Sequence, residues 1–129
     1  MAHPNAELFA KGYAAFQAGD LDTVRDLFAP DIVWHVPGKN HLSGDYKGVD
    51  ATMATFLANM QETNGTFRLE VHDFLGSDEH AVALATVKAE KDGKSLDDQY
   101  VHVVHLKDGK LTESWIIGAH QDEVDAFWG

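Results

Sequence analysis

The fold is decided by residues 66–106, TFRLEVHDFLGSDEHAVALATVKAEKDGKSLDDQYVHVVHL. Three long runs of β-branched and other apolar residues are separated there by GSDE (76–79) and KDGKS (91–95), which suit hairpin connections. We therefore predict antiparallel strands in this segment. A fourth run, KLTESWIIGAH (110–120), begins after a second KDG turn. The large apolar side chains of Phe127 and Trp128 indicate that the tail folds back on the sheet or over the mouth of a cavity.

The first half of the chain has helical periodicity instead. Apolar residues at three- and four-residue spacing predict an amphipathic helix that begins at Pro4 and ends at Gly19. Asp20 is expected to cap a second, shorter helix that Pro30 stops. The two helices would form a helical hairpin.

One strand and one loop interrupt the helical region. The segment DIVWHV (31–36) is short and β-branched, which predicts the first strand. The glycine-rich segment GKNHLSGDYKG (38–48) has no periodicity and is expected to be a loop or a mobile flap. A third helix should follow, with Asp50 as its cap and a stop at Asn64 and Gly65.

This order of elements indicates an α+β protein in which helices cover one face of an antiparallel sheet. The 129 residues suit a single domain over 1–129, and a hydrophobic fraction of 44% supplies enough apolar surface for one core. The absence of cysteine excludes disulfides, thiol nucleophiles and cysteine-ligated metals.

The charge and hydropathy pattern narrows the classes of partner. Ten basic and 21 acidic residues leave a net charge of −11, the wrong sign for contacting a phosphate backbone, so no nucleic-acid partner is expected. No apolar run approaches the length of about 20 residues that a membrane-spanning helix needs. The first residues do not resemble a signal peptide, and we expect a cytoplasmic protein without membrane contact.

The predicted strand over 96–106 carries a row of polar side chains. Because residues two apart on a strand share a face, Asp98, Tyr100 and His102 point one way and His105 points the other. The odd spacing of the two histidines argues against a metal site. A carboxylate, a phenol and an imidazole in one row can do acid–base chemistry, although the same face would equally suit contact with solvent. A β-bulge within the row would exchange the histidines, so His105 is the reserve candidate.

Three stretches resemble the SnoaL-like branch of the nuclear transport factor two superfamily, namely AGDLDTVRDLFAPDIVWHVPG (18–38), YKGVDATMATF (46–56) and DGKLTESW (108–115). The superfamily includes ketosteroid isomerases, polyketide cyclases and limonene epoxide hydrolase. The resemblance implies a cone-shaped, cystatin-like fold with three N-terminal helices packed on a strongly curved antiparallel sheet. It also implies an apolar pocket and a homodimer through the outer face of the sheet, around Val101 and Val103.

Comparison with these enzymes is informative residue by residue. Gly12 lies where ketosteroid isomerases have their oxyanion-hole tyrosine, and Tyr13 is one position off and expected to be rotated away. Val36 lies where their proton-shuttling aspartate would be, which argues against steroid isomerisation by that mechanism. His102 lies near the position of their protonated pocket aspartate. SnoaL-type cyclases pair a histidine on this strand with an aspartate beyond the next strand, where this chain has Ala119 and His120.

Two functions follow as hypotheses. The first is a cofactor-independent isomerase or cyclase for a small, mostly apolar carbonyl compound, with His102 as general base or acid, Asp98 orienting it and Tyr100 donating to the enolate oxygen. The second is a non-catalytic module that binds a small hydrophobic ligand in the same pocket, or an interaction module using the outer face of the sheet. Neither needs a cofactor or a metal. The side chains expected to contact the ligand are Trp34, Val36, Tyr13, Phe56, Met60, Trp115 and His41.

Overall fold

The computed structural model describes residues 3–129, so residues 1 and 2 of the expected domain lie outside it. Over this range four helices accompany one sheet of six strands. The helices are α1 (Pro4–Gln17), α2 (Leu21–Asp26), α3 (Val49–Glu62) and α4 (Gln121–Trp128). The strands are β1 (Phe28–Val36), β2 (Gly44–Lys47), β3 (Arg68–Gly76), β4 (His80–Lys91), β5 (Lys94–Lys107) and β6 (Lys110–Gly118).

The sheet is mixed, in contrast to the predicted antiparallel sheet. Its strand order is β2-β1-β6-β5-β4-β3, and β1 and β6 run parallel, with Trp34 opposite Ser114. All other neighbours are antiparallel. The predicted antiparallel pairing from β3 to β6 is confirmed, because each of these strands is joined to the next by a short turn with a local sequence motif. The pairing of β1 with β6 joins segments that are distant in the sequence. Parallel strands are not connected by a short turn, so no local motif predicts this pairing.

The sheet is also not strongly curled, unlike the cone that the resemblance implied. Strong curvature in antiparallel sheets is introduced by β-bulges. The central strands β4 and β5 instead pair continuously from His80 opposite His105 to Lys91 opposite Lys94, without a register shift. The long β4–β5 ladder therefore lacks the bulges that would bend it.

The helix caps follow local chemistry, with two corrections. The Asp20 carboxylate accepts hydrogen bonds from the Thr23 backbone and hydroxyl, which confirms the predicted cap of α2. That helix ends earlier than predicted, and β1 begins already at Phe28 and runs through Pro30. The N-cap of α3 is Gly48, and Asp50 lies in the first turn. A carboxylate there still interacts favourably with the helix dipole.

The predicted flap and tail are more ordered than expected. The flap contains strand β2, which pairs with β1 and places Tyr46 opposite Trp34. The tail forms α4, a fourth helix where only three were expected. Phe127 and Trp128 are buried in it, which confirms that the tail folds back. They pack with Val87, Ala89 and Leu96 of the sheet.

The helices α1, α3 and α4 all contact the sheet, and the apolar side chains between them form the core. Alternate residues of β5, including Leu96, Val104 and Leu106, are buried on the helix-covered side. Within residues 3–129, no helix is both long enough and apolar enough to cross a membrane.

Candidate functional site

A cavity of about 170 Å³ lies between the helices and the covered face of the sheet. Its walls are mostly apolar and aromatic. The ring of Trp34 lies 5.0 Å from that of Phe56 and 5.8 Å from that of Phe28, and Phe16 packs against Phe56 at 5.5 Å. The structure therefore provides the apolar pocket that the resemblance implied.

Four of the seven expected ligand-contacting residues line this cavity, namely Tyr13, Trp34, Val36 and Phe56. The other three lie outside it. The cavity wall on α3 ends at Asn59, so Met60 is not part of it.

Trp115 and His41 are excluded by position. Trp115 follows the inward-facing Ser114, so strand alternation places it on the outer face of the sheet, stacked on His35. The imidazole of His41 is held at the surface by the Glu62 carboxylate at 2.7 Å and contacts the Gly129 carbonyl.

Strand β5 presents its polar row to the cavity as predicted. The β4–β5 register is unbroken, so Asp98, Tyr100 and His102 all line the cavity. His105 lies on the other face, with its ring 4.5 Å from that of His80. The described part of the chain contains no group of three metal-ligating side chains.

His102 is enclosed by two hydroxyl groups. Its Nδ1 lies 2.7 Å from the Tyr13 hydroxyl and its Nε2 lies 2.6 Å from the Ser114 hydroxyl. Asp98 does not contact the ring, so the prediction that Asp98 orients His102 is wrong. Four residues of strand separate the two side chains by about 13 Å, and Tyr100 lies between them.

Tyr13 corrects a second expectation. It points into the core, where its hydroxyl lies 2.8 Å from the Tyr100 hydroxyl as well as beside His102. The reason is helical spacing: Phe9 and Tyr13 are four residues apart, share one face of α1, and contact each other edge to face. The chain of hydroxyls and imidazole thus runs from Ser114 through His102 and Tyr13 to Tyr100.

Burial keeps this chain uncharged near neutral pH. Loss of solvent lowers the pKa of His102 from about 6.5 to about 3. Burial also raises the pKa of Tyr13, with a further contribution from Tyr100, and raises the pKa of Tyr100 itself. Both phenols therefore carry their protons and His102 is a neutral imidazole.

Asp98 pairs instead with His120. His120 donates from Nδ1 to Oδ1 of Asp98 at 2.8 Å, and its backbone N–H donates to Oδ2 at 3.2 Å. The Asp98 hydrogen bond and charge raise the pKa of His120. A carboxylate that lines the cavity is thus bonded to an imidazole at the surface.

Comparison with known proteins identifies the family and the fold of the chain. The sequence model of the SnoaL-like domain family matches residues 9–114. The chain belongs to the SnoaL-like family. The nuclear transport factor two-like, cystatin-like fold implied by the resemblance is confirmed.

The chain is similar to one uncharacterized protein in sequence and to two solved structures in fold and sequence. The uncharacterized protein Rv0034 of Mycobacterium tuberculosis is 31% identical over 95% of this chain and 94% of its own. Bal32a, from a soil-derived mobile gene cassette, is 35% identical, with a TM-score of 0.94 over 97% of this chain and 96% of its own. TerC, crystallised with polyporic acid, is 27% identical, with a TM-score of 0.77 over 90% of this chain and 92% of its own.

The sequence did not predict Ser114 and His120 as members of this site. His120 had a signal, because it lies just beyond β6, where SnoaL-type cyclases were expected to have an aspartate. The histidine of the pair was expected at His102 or His105; the structure instead pairs His120, after β6, with a carboxylate on β5, Asp98. Nothing in the sequence predicts a role for Ser114 except strand alternation, which places its side chain on the inward face. A serine is common in any segment and does not by itself indicate a site.

Proposed function

We propose that this SnoaL-like protein isomerises or cyclises a small, mostly apolar carbonyl compound by acid–base catalysis. Asp98 is the general base, and Tyr100 donates a hydrogen bond to the carbonyl oxygen. One observation carries the proposal: Asp98 and Tyr100 are neighbours on the covered face of β5, and both line the apolar cavity. No cofactor is required for this chemistry.

The two groups suit the two ends of an enolisation. The Asp98 carboxylate takes a proton from the carbon next to the carbonyl, and the C–H electron pair becomes the C=C bond of an enolate. The negative charge moves to the carbonyl oxygen, where the Tyr100 hydroxyl stabilises it. An isomerase returns the proton to another carbon. In a cyclase the enolate carbon attacks a second carbonyl, and protonated Asp98 gives its proton to the new alkoxide.

The environment of His102 indicates that Asp98, and not His102, is the general base. Both ring nitrogens of His102 are occupied by hydroxyls, and each nitrogen has only one hydrogen-bonding site, whereas each oxygen of the Asp98 carboxylate accepts one hydrogen bond from His120 and keeps a second lone pair. With a pKa of about 3, the ring is a poor proton acceptor near neutral pH. His102 therefore supports Tyr13 and Tyr100 and does not touch the reacting atoms.

The cavity limits the size of the compound. A protein cavity of about 150 Å³ holds one benzene molecule. The 170 Å³ here therefore suits one ring, or two compact rings, with few substituents.

The test is hydrogen–deuterium exchange next to a carbonyl. 1-Tetralone in D₂O is followed by NMR, with and without protein, and we expect exchange faster than in buffer alone. Asp98→Asn should slow the protein-dependent exchange by about 100-fold or more, and Tyr100→Phe by about 100-fold.

Asp97→Asn is the matched control, because Asp97 is an exposed neighbour on the opposite face of β5. It should exchange 1-tetralone at the wild-type rate. Equal rates for Asp98→Asn and wild type would remove Asp98 from the mechanism.

A second candidate is a binding module without turnover. One observation supports this second candidate: every buried side-chain nitrogen and oxygen within residues 3–129 already has a hydrogen-bond partner. Such a site is complete without transferring a proton. Native mass spectrometry of the protein as purified distinguishes the two: a stoichiometric, chemically unmodified ligand together with no exchange of 1-tetralone supports binding alone.

A further inference from the structure

The hydrogen-bond chain beside the cavity has one more hydrogen than it can use. Ser114, neutral His102, Tyr13 and Tyr100 each carry one polar hydrogen. They are joined by three contacts, of 2.6, 2.7 and 2.8 Å. Three hydrogen bonds consume three hydrogens, so one O–H is left over. It lies at an end of the chain, because a leftover hydrogen on Tyr13, whose described partners are only His102 and Tyr100, would be buried without an acceptor.

The leftover hydrogen depends on the direction of the chain. If Tyr100 donates to Tyr13, Tyr13 donates to Nδ1 of His102, and Nε2–H donates to Ser114, then the Ser114 hydrogen is left over. If Ser114 donates to Nε2, Nδ1–H donates to Tyr13, and Tyr13 donates to Tyr100, then the Tyr100 hydrogen is left over.

The surroundings of the two ends differ. The Ser114 residue is 0% exposed, and within residues 3–129 its hydroxyl has His102 Nε2 as its one hydrogen-bond partner. A leftover hydrogen there would be buried without an acceptor, which is costly. Tyr100 is only partly buried and lines the cavity, where a ligand can accept its hydrogen.

We propose that Ser114 holds His102 as the Nδ1–H tautomer and thereby makes Tyr100 a hydrogen-bond donor toward the cavity, so that the site selects a ligand with an acceptor oxygen there. Suitable ligand groups are a ketone, a quinone or an anionic oxygen. This inference deepens the proposed function by naming the ligand group that Tyr100 takes. Ser114 is a positioning residue, because it acts through His102 and Tyr13.

The tautomer can be measured without any substrate. In ¹⁵N-labelled protein at pH 7, long-range ¹H–¹⁵N correlation spectra distinguish the ring nitrogen that bears hydrogen from the bare nitrogen. We expect His102 to show Nδ1–H and a bare Nε2. A predominantly Nε2–H ring in the wild type would overturn the proposal.

Variants test whether Ser114 sets this direction. Ser114→Ala removes the hydroxyl that donates to Nε2 and should raise the Nε2–H population of His102, whereas Ser114→Thr keeps a hydroxyl and should retain Nδ1–H. Thr112→Ala, which removes a hydroxyl on the same strand but outside the chain, should match wild type. An unchanged tautomer in folded Ser114→Ala would overturn the role of Ser114, and the wild-type spectrum decides the direction if that variant does not fold.

A pair of ligands of the same shape tests the donor at Tyr100. 1-Tetralone has an acceptor oxygen, and 1-methylenetetralin has a CH₂ group in its place. Tyr100→Phe should weaken binding of 1-tetralone by about fivefold and leave 1-methylenetetralin unchanged. Equal losses for both compounds would contradict the proposal.

These measurements separate two failures. A protein that shows Nδ1–H and the ligand preference but no hydrogen–deuterium exchange refutes the proposed catalysis and keeps the donor role of Tyr100. A protein that exchanges 1-tetralone but shows Nε2–H refutes only the inference about Ser114.

Discussion

Asp98 and His120 form a hydrogen-bonded pair with one member inside the protein and the other at its surface. The Asp98 side chain is 1% exposed and the His120 side chain is 65% exposed, and Nδ1 of His120 lies 2.8 Å from Oδ1 of Asp98. The proposed base is therefore held in place by a group that solvent can protonate.

The first prediction concerns the pH dependence of this pair. Asp98→Asn should lower the pKa of His120 toward its ordinary value, because the hydrogen bond and charge of Asp98 raise it. An NMR titration of the imidazole measures this, with Asp97→Asn as the control that leaves the titration unchanged.

The same shift predicts how stability depends on pH. The pKa of His120 is higher in the folded protein than in the unfolded chain, so the pair stabilises the fold below the unfolded pKa near 6.5 and loses this contribution as pH rises through the folded pKa. Unfolding in urea should show a larger deficit for His120→Gln at pH 5.5 than at pH 8.5. A deficit independent of pH would contradict the pairing.

Tyr13→Phe should destabilise the fold by about 1–3 kcal/mol, because it leaves a buried nitrogen of His102 without a partner. Urea denaturation at pH 7 measures the change. Tyr46→Phe is the comparison, because its hydroxyl donates to the Leu42 carbonyl in a more exposed place, and it should cost less. A smaller loss for Tyr13→Phe than for Tyr46→Phe would argue against the buried chain.

Gly38→Ala should loosen the loop between β1 and β2 from α4. Gly38 has φ of +95°, and a Cβ there would overlap Oδ1 of Asp125 and Nε2 of Gln121. That Asp125 oxygen also accepts the hydrogen bond from Asn40, 2.8 Å away.

Gly19→Ala is the control for Gly38→Ala, because Gly19 has φ of +76° with nothing near its Cβ position. The control should lose about 1 kcal/mol from backbone strain alone. Gly38→Ala should lose about 1 kcal/mol more, since the flexible Asp125 side chain can move aside only by giving up its hydrogen bond from Asn40. Equal losses in the free energy of unfolding, measured by urea denaturation, would show that the contact of Gly38 with α4 does not contribute to stability.

We propose that the outer face of the sheet forms a homodimer interface, because Ile117 is 58% exposed there and Val101 pairs with it across β5 and β6. Ile117→Lys should shift the protein to monomer in analytical ultracentrifugation. Leu57→Lys replaces a comparably exposed residue of α3, 47% exposed, and should leave the dimer intact. A monomeric wild type at micromolar concentration would contradict the interface.

Local patterns in the sequence determined the faces of the strands and the positions of the turns. The two-residue period of β5 placed Asp98, Tyr100 and His102 on one side, because side chains on a strand alternate whatever the strand packs against. The Asp108-Gly109 turn is also predictable from the sequence, because an Asp-Gly pair suits a hairpin turn in which both residues have positive φ. Both residues do have positive φ in the structure.

Tertiary structure alone decided which partners these side chains have. Tyr13 is 89 residues from His102 in the chain, and Asp98 is 22 from His120. Such pairs depend on how helices and strands pack, and a period of two or 3.6 residues contains no information about that packing. The two-residue period of the sequence predicts the inward-facing row on β5, but it does not predict the inward position of Tyr13 or the outward position of Trp115. Only the packing decided that His102 joins Ser114 and Tyr13, that Asp98 joins His120, and that β1 lies parallel to β6.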